Sequence, residues 1–122
     1  MKISVIGSGS WGTAISKVLS INGHEVCIYC HNQKTYNHIL NGENPEYLPG
    51  ISLPRSIKPV KDYESINKNE IIILAVPTQQ IRNVIKNITN KNALIINLAK
   101  GIEIQSGKLI NQVVKEELGN DV

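Results

Sequence analysis

The segment that most constrains this chain is its opening thirty residues. A short branched-aliphatic run, KISVI (2–6), runs directly into Gly7-Ser8-Gly9-Ser10-Trp11-Gly12. The apolar period then changes: Ala14, Ile15, Val18 and Leu19 fall at helical spacing from Thr13, and Gly23 follows as a stop signal. A second two-sided apolar run, EVCIYC (25–30), closes the segment. Strand, helix and strand within about thirty residues describe a βαβ unit and a parallel strand pair. In that setting the spacing G-x-G-x-x-G acquires meaning that it lacks alone. Gly7 permits a tight turn, Gly9 lets an anionic group approach the backbone, and Gly12 lets the helix pack on the strand. The helix mouth adds unpaired N–H groups and partial positive charge, and Ser10 adds a hydroxyl donor. Trp11, the only tryptophan, sits where a turn tip has no core around it. Two compatible roles are open to it, packing under the long loop and lining the ligand site.

The rest of the pattern extends the same architecture. Residues 32–40 fit a short helix through Tyr36, Ile39 and Leu40, and IKPV (57–60) fits an edge strand that tolerates its proline. A small helix starts at Asp62. EIIILAVP (70–77) and ALIINLAKG (93–101) are aliphatic enough to be central strands, the first ended by Pro77. Between them Ile81, Val84, Ile85 and Ile88 predict an amphipathic helix, and a last helix is expected from about Ser106 to Leu118. This order predicts an α/β fold, a doubly wound, mostly parallel sheet of the Rossmann type with strand order 3-2-1-4-5. Residues 1–122 are expected to form one dinucleotide-binding domain, cut before a sixth strand. The irregular stretch NGENPEYLPGISLPRS (41–56) has three prolines. It reads as a shaped loop over the cleft, with Tyr47 and Leu48 as its buried anchors.

Composition excludes several classes. Hydrophobic residues make up 41% of the 122, aromatics only 4%, and the net charge is +3. No basic stripe with interleaved aromatics marks a nucleic-acid surface, and no run of about 18 apolar residues marks a membrane span. The start lacks the pattern of a secretory signal, so a cytoplasmic location is expected. Cys27 and Cys30 form a C-x-x-C, yet residues three apart in a strand face opposite sides, which favours two buried free thiols. No metal-ligand spacing occurs, and no Ser/His/Asp set can be assembled. His24 reads as a turn residue and His38 as a surface residue of its helix.

Three loops at the carboxyl ends of the strands carry the candidate chemistry. The second strand ends in Tyr29-Cys30-His31-Asn32, with no aspartate or glutamate where NAD-selective sites place one. His31, Asn32 and Lys34 are hydrogen-bond donors there, which tilts the choice of cofactor towards NADP and leaves NAD open. Pro77 ends one switch-side strand, and Lys100 leaves the other, placed to meet a negative group.

On the motifs GSGSWGTA, NGHEVCIYCHN, NPEYLPGISLP, ILAVPT and LAKGIE, the chain resembles the N-terminal part of the bacterial NAD(P)-dependent glycerol-3-phosphate dehydrogenases. The resemblance runs from Lys2 to the end. It implies a soluble, homodimeric enzyme that reduces glycerone phosphate to sn-glycerol 3-phosphate for phospholipid synthesis. It also implies cofactor contacts by Ser10, Trp11, His31, Asn32 and Tyr47, and a contact of Lys100 with both cofactor and substrate. The family's proton-donating lysine belongs to a C-terminal helical domain outside these residues, so this chain alone is expected to bind cofactor without turnover. Two other readings stand beside it: a related reductase of a hydroxyacid or ketoacid, and a stand-alone dinucleotide-sensing module.

Overall fold

Branched aliphatic side chains alternate along the first strands so that both faces of the pleat need cover, and the chain supplies it from both sides. The computed structural model describes residues 1–119. Its strands are β1 (Lys2–Ile6), β2 (Glu25–Tyr29), β3 (Lys58–Val60), β4 (Ile71–Leu74) and β5 (Leu94–Asn97). They form one sheet in the order β3-β2-β1-β4-β5, every pairing parallel. The expected strand order is therefore the observed one.

The helices are α1 (Ser10–Ile21), α2 (Gln33–Leu40), α3 (Tyr63–Asn67), α4 (Ile81–Ile85) and α5 (Ile110–Leu118). One face of the sheet packs Ile3, Val5, Val26, Ile28, Cys30 and Ile73 against Ile15 and Leu19 of α1 and Ile39 of α2. The other packs Ile6, Cys27, Ile72 and Leu74 against Ile66, Ile81, Ile85, Val113 and Leu118 from α3, α4 and α5. Cys27 and Cys30 thus lie in opposite halves of the core, both as free thiols. Burial pushes the Cys30 thiol up to about 11.

Several boundaries differ from the sequence expectation, β5 among them, which ends at Asn97 rather than running to Gly101. Helix α1 begins at Ser10 rather than Thr13, because Gly9 takes the extended cap conformation and Ser10, Trp11 and Gly12 already turn helically. Strand β4 ends at Leu74, although Ala75 still donates to Ile6 O at 2.8 Å, so the run to Pro77 is half strand and half exit. Helix α4 is a short α-turn preceded by a 3₁₀ turn at Thr78–Gln80. The last helix starts at Ile110, not Ser106. A turn closed by an antiparallel bridge between Ile102 and Leu109 occupies the interval. In addition, β5 is the outermost strand of the described sheet rather than a central one, and Leu94 and Ile96 are exposed.

The β1–α1 junction is the tightest point of the fold. Gly7 has φ +119°, and a Cβ there would lie 2.4 Å from Ala75 O. A Cβ on Gly12 would lie 1.8 Å from Gly7 O. Neither obstacle is a flexible side chain, so backbone must move. Replacing Gly12 by alanine is expected to cost about 3 kcal/mol or more, read as a lowered urea midpoint of the apo chain.

Candidate functional site

Where β1 gives way to α1, β4 to its 3₁₀ turn and β5 to its loop, the three carboxyl ends open a cleft of about 540 Å³. Gly9, Ser10 and Trp11 form one wall, Ala75 to Thr78 the floor, and Leu98 to Lys100 the opposite wall, with Tyr47 at the rim. This is the point at which strand order reverses, where open α/β sheets bind ligands. Grooves of similar or larger size lie elsewhere, one of about 670 Å³ beside β5 and α5. Size does not choose between them; position relative to the strand ends and the helix mouth does.

The three glycines of the turn have different reasons to be glycine. Gly7 and Gly12 are demanded by the fold itself. Gly9 is not: its φ is an ordinary −78°, and a Cβ added there meets nothing within 4 Å. Its bare backbone borders the cleft. The first intrahelical bond is Thr13 N–H to Gly9 O at 3.0 Å, no side chain caps the helix, and its first turn contains no acid. The mouth of α1 therefore presents uncapped amides and the positive end of a helix dipole to the cleft.

Trp11 is 76% exposed and lines the cleft, so the neighbouring loop does not bury it. Tyr47 is 37% exposed and is not a buried anchor of its loop, contrary to expectation. Leu48 packs partly, and Leu53 is buried, but the principal tether is polar. Asn44 is 1% exposed, and its Nδ2 donates to Ser8 O at 3.0 Å and to Thr13 Oγ1 at 2.8 Å. Ser10 Oγ donates to Tyr47 O at 2.7 Å. The long loop is thus tied twice to the glycine turn. Sequence reasoning missed Asn44; its one signal was an amide preceding proline in a loop that has to be held.

At the tip of β2, His31 is exposed and outside the cleft lining. Asn32 caps α2, its Oδ1 accepting from Thr35 N–H at 2.8 Å, which leaves its Nδ2 as the available donor. The fold also brings an acid to this end of the sheet, Glu46, 4.0 Å from Lys34 Nζ. Both side chains are well exposed, so the pair contributes little. Of the sequence-derived candidates, Gly9, Ser10, Trp11, Tyr47, Pro77 and Lys100 share the cleft, Gly7 and Gly12 lie in its supporting turn, and His31 and Asn32 flank it.

Behind Lys100 the chain carries a charge cluster. Arg82 makes a two-pronged contact with Glu103, at 2.9 and 2.9 Å, and also reaches Glu116 and Glu117 at 3.1 and 2.8 Å. Glu103 is buried and also accepts from Ser106 Oγ at 2.6 Å. These donors, Arg82 foremost, lower the Glu103 carboxyl to about 2. No group of side chains among the described residues could hold a metal ion, and no described helix is long and apolar enough to cross a membrane.

A five-stranded parallel sheet with an open glycine turn at its switch point defines a nucleotide-binding domain of the Rossmann type. The comparisons narrow the class. Residues 2–122 match the model of the N-terminal domain of NAD-dependent glycerol-3-phosphate dehydrogenase, and the chain belongs to that family. It is 36% identical, over its whole length, to glycerol-3-phosphate dehydrogenase of Thermoanaerobacter sp., of which it covers 38%. It is 39% identical over 99% of its length to that of Bacillus subtilis, covering 36%. Among solved structures, glycerol-3-phosphate dehydrogenase of Coxiella burnetii superposes with a TM-score of 0.87 at 30% identity, over 98% of this chain and 38% of that one. A Synechocystis arogenate dehydrogenase, at 18% identity and a TM-score of 0.66, shares the fold. The chain thus spans little more than a third of the relatives it matches.

The depressed Glu103 carboxyl has a measurable consequence. Unfolded, it takes up a proton near the ordinary 4.5; folded, it resists down to about 2. Its contribution is complete above 4.5 and is lost as pH falls through 2. In urea titrations across that window, Glu103→Gln is expected to start less stable and to show a shallower acid dependence than the parent. Glu116, also held low by Lys108 and Arg82, keeps the slope from vanishing.

Proposed function

We propose that this domain holds the diphosphate of NADPH or NADH at the mouth of α1, and that the protein containing it reduces glycerone phosphate to sn-glycerol 3-phosphate. The observation that carries the reading is Gly9. The fold places no demand on that position, yet its missing side chain keeps the path from the cleft to the helix amides open. An anion there meets uncapped N–H donors and no neighbouring carboxylate in the first turn. Gly7 and Gly12 hold the turn in the required shape. Trp11, Tyr47 and Pro77 supply the surfaces on which the remainder of the dinucleotide lies. His31 and the Asn32 amide reach its adenosine end.

When bound, the nicotinamide supplies the hydride. The part played by this chain's own residues is to bind, orient and neutralise. Lys100, on the wall opposite the helix mouth, offers an ammonium to the anionic cofactor, to the substrate and to negative charge developing on the substrate's carbonyl oxygen. The β2 tip carries donors and only the loosely paired Glu46, which favours a 2′-phosphate and hence NADPH. The family membership supports the substrate class.

The test is a replacement of Gly9 by valine. At a hundredfold excess over Kd, NADPH is expected to stabilise the parent chain by about 2.7 kcal/mol. The variant is expected to keep its apo melting temperature and lose that increment. An unchanged increment would remove the diphosphate from the helix mouth. Calorimetric titration with both cofactors is expected to give the tighter Kd for NADPH. The 122-residue chain is expected to bind it without oxidising it on glycerone phosphate.

A further inference from the structure

Lys100 lies on an exposed loop, and among the described residues its ammonium enters no ion pair. A lysine in that position is useful only if its backbone is fixed, because the side chain alone samples many rotamers. The loop following it has almost no apolar anchorage: Gly101, Ile102 and Ile104 are all exposed. What holds it is the turn after β4. Thr78 Oγ1 donates to the carbonyl of Lys100 itself. Gln79 spans the next stretch with both ends of its amide. Its Nε2 donates to Ile102 O at 3.1 Å, and its Oε1 accepts from Ile104 N–H at 2.9 Å. The side chain thus satisfies one carbonyl and one amide two residues apart, as a neighbouring strand would. Arg82, one turn further, clamps Glu103 between them.

Gln79 is exposed and is not among the residues lining the cleft. Its polar atoms point at the loop rather than at any ligand. We propose that Gln79 is a positioning residue that splints residues 102–104 and so fixes the place from which Lys100 meets the anionic cofactor. This rests on the assignment of the cleft to a dinucleotide. Glutamine suits the task because the loop offers one acceptor and one donor; a carboxylate could satisfy only the Ile104 N–H.

The experiment is a double-mutant cycle on NADPH affinity by calorimetry, using Gln79→Ala, Lys100→Ala and the pair. Each single substitution is expected to weaken binding by about tenfold, the scale of one charge-assisted contact. The pair is expected to be no weaker than Lys100→Ala alone, because the splint matters only through the lysine. Gln79→Glu is expected to fall between Gln79→Ala and the parent. Apo melting curves report whether each variant is folded, and the exposed position of Gln79 leaves the core intact. Losses that multiply in the pair, or a Gln79→Ala chain with parental affinity beside a weakened Lys100→Ala chain, would overturn the inference and leave the cleft assignment standing. Parental affinity in Lys100→Ala would remove the lysine from the site and the splint with it. A parent chain that fails to bind NADPH would overturn the cleft assignment itself.

Discussion

The structure depends on how closely the first turn of α1 lies against the end of β1. At Gly12 there is no room for a single carbon atom before the carbonyl of Gly7. That contact sets where the helix axis begins, and the helix covers Ile3, Val5, Val26 and Ile28 on one face of the sheet. It also aims the helix amides across the carboxyl ends of the strands. The packing of the sheet and the aim of the helix mouth are therefore consequences of one short distance. A chain that loosened it would misplace the core and the helix mouth together.

Around that junction the molecule divides its labour. Below the cleft, the sheet is held by aliphatic contacts that are dry, numerous and undirected. At the rim, each loop is fixed by hydrogen bonds from two or three side chains: Asn44 and Ser10 for the long loop, Thr78, Gln79 and Arg82 for the segment after β5. Directional contacts suit a rim, where apolar anchors would have to face water. They also set geometry more sharply than a greasy contact does, which is what a surface meeting a charged ligand needs.

The core was legible in advance because its determinants are local. Short aliphatic runs marked all five strands, the right-handed sense of their crossovers ordered them, and the glycine spacing placed the helix mouth, since an apolar run and a bare backbone are visible in a window of ten residues. The rim was less legible. Asn44 and Glu103 look like ordinary loop polar residues until folding delivers Ser8, Thr13 and Arg82 to them from 36, 31 and 21 positions away. Glu46 is equally unremarked until α2 brings Lys34 to it. Tyr47 misled because an aromatic beside a leucine suggests burial, while the polar tether made burial unnecessary. Boundaries slipped where a turn borrowed helical or extended geometry from its neighbour, as at Ser10 and Ala75.

Ser10 shows what such a rim implies. A hydroxyl owns one hydrogen, and here it already belongs to the Tyr47 carbonyl. An oxyanion arriving at the same residue finds the peptide N–H vacant but the side chain engaged elsewhere. Serine at this place works as a strut between the helix mouth and the long loop, and a diphosphate bound as proposed would be left to the main-chain amides. Shortening it to alanine would loosen the shape of the entrance more than the hold on the charge.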